Sequence, residues 1–481
     1  VHRAGAVWSG HAETAVSTAF PPTLLAAHHY GVAGLGRNGA AAVTALLAMG
    51  ASVHAWDDRA DARAALAPHD RLTVAPFRNM LGLAGLVLSP GIPHNLPSPH
   101  PLARMAVEAG VPILSDAELL FRAVRAAGSR ARFAGITGTN GKSTTTVLLA
   151  HMLAGCGMPV AAGGNLGPAA LSLPLLPDDG VYVLEMSSYM LERLDQMHFN
   201  VACLLNLTPD HLDRHGDMAG YIAAKLHVFD HQHAGDLAVL GDKLPDYDTI
   251  RRRLAPTRST IACVSGADMP QCDLYCTPGA LCDHAGVIAD LHAVHDLPGT
   301  HNRENAAAAT AMALHLGMPR AAVEPALASF SALDHRQKTA GSVGGIRFIN
   351  DSKATNADAT ARALACHDRM VWIAGGMAKA GGIEELAPLF SRVAVALLIG
   401  RDAPVLAATL ARHDVPHRIV DTLERAVPQA LDSARELGAD VVMLSPACAS
   451  FDQFSGFEAR GDHFAELVRG LATGRDGTTP A

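Results

Sequence analysis

The sequence predicts a multidomain α/β protein whose sheets are mainly parallel. Its 481 residues, 49% of them hydrophobic, provide for several buried cores, and a chain of this length corresponds to about three domains of ~150 residues each. Three successive sets of short apolar segments alternate with Ala- and Leu-rich stretches, as in parallel sheets covered by helices on both faces. We predict domains at residues 29–127, 128–331 and 332–481.

Composition argues against several kinds of partner. The net charge of -8 includes no polybasic run, so we do not expect nucleic-acid binding. Every long apolar run is broken by Gly, Pro, His or a charge, so we expect no membrane insertion. The eight cysteines are scattered, unlike a disulfide framework, and indicate a reducing, cytoplasmic location. Residues 1–28 lack a continuous apolar run, and we expect them to be an extension outside the fold.

The first domain contains a glycine-rich loop. The stretch GVAGLGRNGAA, Gly31–Ala41, has the pattern G-x-G-x-x-G between an apolar run and a helix-compatible run. Such glycines let backbone N–H groups face a diphosphate, so we predict a Rossmann-like domain. Asp57 and Asp58 follow about where a ribose-binding acid would lie. The pattern leaves open a nicotinamide dinucleotide, another pyrophosphate ligand, or a tight turn without a ligand.

A second glycine loop predicts the fold of the central domain, which we expect to be a parallel sheet like that of the P-loop ATPases. GITGTNGKSTT, Gly135–Thr145, lies between a strand-like and a helix-like run, although Ile136 replaces the first glycine of the strict pattern. Lys142 would neutralise the β- and γ-phosphates, and Ser143 or Thr144 would ligate Mg²⁺. A hydride-transfer enzyme needs no triphosphate site, so this loop argues against a nicotinamide-dependent oxidoreductase.

Acidic and histidine residues end two further strands of the same set. VYVLEMSS places Glu185 at a strand end, and NLTPDHLDRH places His211 after the following strand. Such side chains beside a phosphate loop can hold Mg²⁺, and two of them favour a two-metal site. Lys225 follows in an amphipathic helix, where an ammonium would repel metal ions or simply face solvent.

Several of these segments together resemble a known family. T-G-T-N-G-K-S-T, E-M-S-S-Y-M-L-E and D-H-L-D-R-H with the later A-A-K resemble the ATP-dependent Mur ligases of peptidoglycan synthesis, over about residues 30–470. N-D-S-K-A-T-N (Asn350–Asn356) and S-P-A-C-A-S-F-D-Q-F (Ser445–Phe454) are similar to the D-glutamate-adding branch. The phosphate-loop residues are shared with sister Mur ligases and folylpolyglutamate synthase, which stay open as alternatives, as does a non-catalytic nucleotide-binding module.

The resemblance implies a reaction and its components. ATP would phosphorylate the carboxylate of UDP-N-acetylmuramoyl-L-alanine, and the amine of D-glutamate would attack the acyl phosphate to form a peptide bond. The cofactors implied are ATP, two Mg²⁺ ions and a carboxylated Lys225, since a carbamate is an anion that can face metals. The third domain would be Rossmann-like and bind the amino acid, and the enzyme would be a monomer.

The resemblance also assigns roles to individual residues. The catalytic residues would be Lys142, His211 and Lys225, and the metal ligands Ser143, Glu185, His211 and Lys225. ATP would contact Gly138, Thr139, Asn140, Gly141, Lys142, Ser143, Thr144, Asn302, Asn305, Arg336 and Asp351. The UDP-substrate would contact Gly34, Gly36, Arg37, Asn38, Gly39, Asp57, Arg59 and Asn165. D-glutamate would contact Lys353, Thr355, Lys379, Ser450 and Phe457.

Overall fold

The computed structural model describes residues 18–292, 294, 297–331, 334–379 and 381–474. These residues form twenty strands in three mainly parallel sheets, so the predicted α/β class is confirmed. Two compact units are present. The first contains the first two sheets and includes Asn302–Phe330, and the second contains the third sheet, from Ser331 onward. Each predicted domain range contains one sheet, and its boundaries stay predictions.

The first sheet has five parallel strands in the order β3-β2-β1-β4-β5. These strands are β1 His29–Ala33, β2 Ser52–Trp56, β3 Leu72–Val74, β4 Gly85–Leu88 and β5 Ile113–Leu114. The order reverses between β1 and β4, so a crevice opens at their carboxyl ends. The first glycine loop follows β1 and therefore lies at this crevice.

The second sheet has nine strands in the order β14-β13-β12-β11-β10-β9-β6-β8-β7. These strands are β6 Arg132–Thr137, β7 Val160–Gly164, β8 Val181–Glu185, β9 Val201–Leu204, β10 Leu237–Gly241, β11 Thr260–Val264, β12 Leu274–Cys276, β13 Ala280–Asp283 and β14 Gly286–Asp290. Strands β6 to β11 are parallel, whereas β12 to β14 form an antiparallel meander. Because β8 and β9 flank β6, the segments that follow these three strands converge at one edge of the sheet.

The third sheet has six strands in the order β15-β16-β20-β17-β18-β19. These strands are β15 Lys338–Val343, β16 Ile346–Asn350, β17 Met370–Gly375, β18 Val393–Ile399, β19 His417–Asp421 and β20 Val441–Leu444. Only the pairing of β15 with β16 is antiparallel among these described strands. The carboxyl ends of β16, β20 and β17 therefore lie side by side.

Helices connect the strands and pack on the sheets. They are α1 Arg37–Ala48, α2 Ala60–Ala64, α3 Pro101–Glu108, α4 Asp116–Ala126, α5 Lys142–Gly155, α6 Ser188–Leu191, α7 Leu212–His215, α8 Met218–Leu226, α9 Tyr247–Leu254, α10 Gly299–His315, α11 Val323–Ala328, α12 Ala357–Leu364, α13 Ala403–Arg412, α14 Leu423–Leu437 and α15 Phe457–Ala472. Within the described part of the chain, no helix combines the length and the apolar composition that crossing a bilayer requires.

Part of the expected N-terminal extension packs against the first unit. Residues 1–17 lie outside the described residues, but the prediction that 18–28 lie outside the fold was wrong. Leu25 is buried in the core of the first unit, and its N–H donates to the carbonyl of Met49 at 2.8 Å. Thr18 and Leu175 exchange two backbone hydrogen bonds. Apolar side chains such as that of Leu25 explain this docking, which the lack of a continuous apolar run did not predict.

One pair of cysteines differs from the expectation of scattered thiols. Cys263 on β11 forms a disulfide with Cys272, across a turn of nine residues. The remaining cysteines of the described chain are free thiols. The spacing of the two cysteines in the sequence matches no recognised motif. They come together because the chain turns back between β11 and β12.

Candidate active site

The second glycine loop connects β6 to the first residue of α5. Gly138 and Gly141 have φ angles of 145° and 86°, which favour glycine. A Cβ atom on Gly141 would lie 2.3 Å from Oδ1 of Asn305, so a side chain does not fit there. The Lys142 ammonium donates to the carbonyls of Gly138 and Thr139 at 2.9 and 2.8 Å. The loop thus places a cation and a helix N-terminus together, a combination suited to phosphate.

Asn206, which the sequence analysis did not select, supports this loop. It follows β9, and its carbonyl accepts the N–H of Thr139 at 2.9 Å. Its side-chain amide accepts the N–H of Asn140 at 2.9 Å and donates to the carbonyl of Asn140 at 3.1 Å. An Asn directly after an apolar strand beside a phosphate loop is the signal that could have identified it.

Three predicted residues meet through Glu185, which ends β8 and is buried. The Ser143 hydroxyl donates to one carboxylate oxygen of Glu185 at 2.6 Å. The Asn165 amide donates to the other oxygen at 2.8 Å, and the Asn165 carbonyl accepts from Arg37 at 2.6 Å. A hydroxyl and a carboxylate beside the phosphate loop are oxygen donors of the kind that Mg²⁺ prefers.

Lys225 lies on α8 and is only 2% exposed. Its ammonium donates to the carbonyl of Gly138 at 2.9 Å. Burial lowers the pKa of Lys225 well below its ordinary value, and the charge of Lys142 lowers it further, although Asp210 and Glu185 act in the opposite direction. The environment therefore favours the neutral amine.

His211 precedes α7 with a left-handed backbone, φ 53°. Its Nε2 atom lies 3.5 Å from a carboxylate oxygen of Asp210, and its ring centroid lies 5.1 Å from that of Tyr189. Burial lowers the pKa of His211, Asp210 opposes this, and the charges of Lys225 and Lys142 lower it further. The neutral imidazole that results has a lone pair for a metal ion or a proton.

One predicted asparagine of α10, Asn305, contacts the helix that follows the phosphate loop, and the other, Asn302, bonds to Asn305. The Thr145 hydroxyl donates to Oδ1 of Asn305 at 3.2 Å, and the Asn305 amide donates to Asn302 at 3.1 Å. Thr144 lies half-buried in the same first turn of α5. The structure therefore places α10 against the start of α5.

The glycines after β1 are required by close contacts. Gly34 has φ 84°, and a Cβ atom there would lie 2.7 Å from the Ser89 hydroxyl oxygen. A Cβ atom on Gly39 would lie 1.8 Å from the carbonyl oxygen of Gly34. Gly36 precedes α1, and the space around its Cβ position is open. The tight turn thus leaves room at the start of α1.

Polar side chains hold this first loop in place. Asp57 accepts the N–H groups of Leu35 and Arg59 at 2.6 and 2.9 Å. The amide of Asn38 donates to Asp116 at 3.2 Å, and burial raises the pKa of Asp116 to about 6. Asp57 therefore holds the backbone of this loop in place, a role that needs no dinucleotide ligand.

Arg193, another residue that the sequence analysis missed, joins the first two sheets. Its buried guanidinium donates to the carbonyls of Leu88 and Ser89, at 2.6 and 3.1 Å, and to that of Ile92. Arg193 follows α6, so it connects the segment after Glu185 to the segment after β4. A single arginine in a loop has no sequence pattern that distinguishes it from a surface residue.

In the second unit, Asp351 follows β16 and is buried. It accepts the Ser445 hydroxyl at 2.7 Å and the N–H of Gln337 at 3.2 Å. Burial raises the pKa of Asp351 to about 7, although these hydrogen bonds and the nearby charge of Arg336 act in the opposite direction. Arg336 and Asp351, both predicted ATP residues, are therefore neighbours.

The residues predicted for D-glutamate lie on loops of the third sheet. The Lys353 ammonium lies 4.0 Å from the ring centroid of Phe457, so these two are in contact. The N–H of Thr355 donates to the carbonyl of Lys353 at 2.8 Å. Ser450 is buried after β20, and Lys379 follows β17 in a loop where its carbonyl accepts from Gly382.

Arg460 on α15 was also missed by the sequence analysis. It is 1% exposed, and its guanidinium donates to the hydroxyl and carbonyl of Ser352 at 3.0 and 2.9 Å. It also donates to the carbonyl of Cys448 at 3.1 Å. Arg460 thus fixes the loops after β16 and β20 that contain predicted site residues.

Matches to known proteins extend over most of the chain. Family profiles match at residues 136–313, described as Mur ligase middle domain, and at 335–448, described as Mur ligase, glutamate ligase domain. UDP-N-acetylmuramoylalanine–D-glutamate ligase of Paramagnetospirillum magneticum is 48% identical, over 92% of this chain and 96% of its own length. Proteins with the same name from Rhodospirillum rubrum and Caulobacter vibrioides are 47% and 44% identical over comparable shares.

Solved structures share the fold at low identity. UDP-N-acetylmuramate-alanine ligase MurC of Thermotoga maritima aligns with a TM-score of 0.59 at 15% identity, covering 92% of this chain and 99% of its own. MurF ligase of the same organism, solved with ADP, aligns with a TM-score of 0.54 at 16% identity, covering 96% and 99%. From its identity to relatives of matching length, the chain belongs to the UDP-N-acetylmuramoylalanine–D-glutamate ligase family of the Mur ligases.

Proposed function

We propose that the protein adds D-glutamate to UDP-N-acetylmuramoyl-L-alanine, using ATP, in the synthesis of peptidoglycan precursors. The observation that carries this proposal is 44–48% identity to ligases of this name over more than nine-tenths of both chains. The geometry around Glu185 supports it, because a phosphate loop and oxygen donors lie together there.

ATP would bind at the edge of the second sheet. The glycine loop and the N-terminus of α5 would face the phosphates, and Lys142 would neutralise charge on the β- and γ-phosphates. Asn302 and Asn305, which α10 places near α5, would contact the base. Arg336 and Asp351 of the second unit are assigned to ATP from the resemblance alone.

The donor set around Glu185 fits Mg²⁺. The Ser143 hydroxyl and the Glu185 carboxylate are hard oxygen donors 2.6 Å apart, and His211 is assigned from the resemblance as a further ligand through a neutral imidazole. When bound, Mg²⁺ screens the repulsion between the triphosphate and the attacking carboxylate. Asn165 would orient Glu185 through its 2.8 Å hydrogen bond.

Lys225 would act as its carbamate. A neutral amine can attack CO₂ at carbon, losing one proton to form a carbamate anion. The burial of Lys225 and its lowered pKa favour the neutral amine that this step needs. The anion would then balance the positive charge of Lys142 and of the bound metals.

The UDP-substrate would bind at the first glycine loop. The tight turn at Gly34 and Gly39 and the open space around Gly36 would leave the start of α1 available for the diphosphate. Arg37 and Asn38 open that helix. The predictions that Asp57 and Arg59 lie near the uridine end and that Asn165 contacts the muramoyl part are kept as part of this proposal.

D-glutamate would bind at the loops of the third sheet. Its two carboxylates need cations and hydroxyl groups, which the predicted residues supply. Lys353, held over Phe457, is one such cation, and Lys379 a second. Thr355 and Ser450 add hydroxyl groups.

The reaction would then proceed in two displacements. An oxygen of the L-alanyl carboxylate attacks the γ-phosphorus, the bond to the β-phosphate oxygen breaks, and ADP leaves. The neutral amine of D-glutamate attacks the carbonyl carbon of the acyl phosphate, phosphate leaves with the former carboxylate oxygen, and the amine loses a proton. A peptide bond, ADP and phosphate result.

An oxygen-labelling experiment tests this proposal. The L-alanyl carboxylate of the substrate is labelled with ¹⁸O, and phosphate released with ATP and D-glutamate is analysed by mass spectrometry. We expect one ¹⁸O atom in the phosphate for each product formed, and unlabelled substrate in ¹⁸O water is the control. Product formed with no label in the phosphate would overturn the acyl-phosphate mechanism.

A further inference from the structure

A second cluster of ligand atoms lies on the opposite edge of the central sheet. His198 precedes β9 by three residues, and Asp236 directly precedes β10. Strands β9 and β10 pair in parallel, with Val201 beside Leu237, so their amino ends lie together. The phosphate loop follows the carboxyl end of β6, which is parallel to β9. The cluster therefore lies at the sheet edge remote from the ATP site.

We propose that His198, His233 and Asp236 form a separate binding site for a divalent cation of the zinc class. One potential ligand atom from each residue lies within 4.8 Å of the other two. Nε2 of His198 and Nδ1 of His233 lie 2.8 and 3.2 Å from the same carboxylate oxygen of Asp236. The two imidazole rings stack with centroids 4.5 Å apart, so both nitrogens converge on the carboxylate.

The burial of the three residues suits an ion that enters from solvent. Asp236 is only 3% exposed, and the backbone N–H of His233 donates to it at 2.7 Å, which fixes the carboxylate. The His198 side chain is 19% exposed and that of His233 is 67% exposed. A rigid anionic ligand thus lies beneath a solvent-accessible imidazole that can adjust to an ion.

The donor chemistry selects the class of ion. Two imidazoles and one carboxylate suit Zn²⁺ and related transition metals, whereas Mg²⁺ and Ca²⁺ prefer all-oxygen sites. Three protein ligands leave a fourth position of a tetrahedral ion for water. Binding requires neutral imidazoles with lone pairs toward the ion, so any protonated imidazole releases its proton to solvent.

Such an ion would join the starts of two neighbouring strands. His198 belongs to the segment entering β9, and His233 and Asp236 belong to the segment entering β10. A cation that binds only the folded arrangement raises the free energy of unfolding. The expected effect is therefore stabilisation by Zn²⁺, independent of the Mg²⁺ that the proposed reaction uses.

Titration of the full-length, metal-free protein with Zn²⁺ tests the proposal. Calorimetry in millimolar Mg²⁺ compares wild type with His233→Ala and His198→Asn. His292→Ala is the matched control, since His292 is 79% exposed and pairs with Asp290 at 2.7 Å, and no third ligand among the described residues joins this pair. We expect wild type and His292→Ala to bind one equivalent, with affinity roughly tenfold or more lower in the other two variants.

A second readout separates this site from the ligase reaction and from misfolding. In Zn²⁺-free buffer His233→Ala should unfold at the wild-type temperature and retain Mg²⁺-dependent ligase activity. Added Zn²⁺ should raise the unfolding temperature of wild type and of His292→Ala, but not that of His233→Ala. Zn²⁺ affinities that are equal in all four proteins, or absent in wild type, would overturn the proposal.

Discussion

At the scale of single residues, Lys225 of the proposed ATP site has surroundings that disfavour a positive charge. It is buried beside Lys142, where an ammonium is disfavoured and an anion would be stabilised. We expect Lys225→Ala to lower kcat by roughly 100-fold or more, as loss of a charged group at a polar reaction centre does. Short carboxylic acids, which can occupy the vacated anionic position, should restore part of the activity in steady-state assays.

A matched lysine makes the Lys225 result interpretable. Lys243→Ala removes an exposed ammonium from the same unit and should leave activity unchanged. Thermal unfolding of both variants checks that the fold is retained. If folded Lys225→Ala shows no rescue by any short carboxylate, the carbamate assignment fails, although family membership does not.

A variant of Lys142 distinguishes the proposed ATP site from the proposed UDP-substrate site. Its ammonium lies at the phosphate loop, whereas the UDP-substrate is assigned to the loop after β1. We expect Lys142→Ala to lose turnover by roughly 100-fold or more while its Kd for the UDP-substrate, measured by calorimetry, stays near that of wild type. An equal loss of turnover and of UDP-substrate binding would contradict the assignment of the two ligands to different sheets.

Asp351 should give the second unit a pH-dependent stability. Burial raises its pKa to about 7, well above the value of about 4 for an unfolded aspartate. The unfolded chain therefore loses this proton first, and stability falls as the pH rises from about 4 to about 7. Asp351→Asn removes this titration and keeps an acceptor for Ser445. We expect its unfolding temperature, relative to wild type, to increase by a few degrees from pH 5 to pH 8.

The control for this titration is an exposed aspartate of the same unit. Asp432 has a side chain that is 79% exposed and lies on α14. Asp432→Asn should show a difference from wild type that is the same at both pH values. A difference for Asp351→Asn that is equally flat would mean that its pKa is not raised in the folded protein.

At the scale of elements, a buried carboxylate of helix α4 holds the segment that leads into β9. Glu118 is fully buried and accepts the N–H groups of Asp195, Gln196 and Met197 at 3.0 to 3.2 Å, and Arg122 at 2.7 Å. We expect Glu118→Gln to destabilise the first unit by about 1–3 kcal/mol, because charge-assisted hydrogen bonds are lost. Thermal unfolding measures the change.

Glu108 provides the comparison for Glu118. It is exposed at the end of α3, so Glu108→Gln should leave the unfolding temperature unchanged. Equal unfolding temperatures for the two variants would show that the bonds accepted by Glu118 contribute nothing to the attachment of α4.

The elements that carry glycine loops could be predicted from the sequence, whereas their supports could not. Positive φ and close contacts leave glycine as the residue that fits at positions such as Gly34 and Gly141, so the requirement is local and visible. Arg193, Asn206 and Arg460 bind backbone groups that are far away along the chain. Such contacts depend on tertiary packing, which hydrophobic periodicity and motif spacing do not encode.

At the scale of the whole molecule, the alternation of strands and helices predicted the class and its three sheets. The pattern could not predict that residues 18–28 dock on the first unit, because the segment has no continuous apolar run and docks through side chains such as Leu25. It also left the ligand of the first glycine loop open, since pyrophosphate geometry does not distinguish one nucleotide from another. The family relationship, and with it the phosphate loop, now favours a uridine diphosphate ligand over a nicotinamide dinucleotide.

Phosphate release is the measurement that tests the central claim most directly. Each assay contains ATP, Mg²⁺ and one amino acid from the set D-glutamate, L-glutamate, L-lysine, L-alanine and glycine. Each is run with and without UDP-N-acetylmuramoyl-L-alanine. We expect release that requires both the UDP-substrate and D-glutamate. Release with a different amino acid, or none with any of them, would contradict the proposed activity.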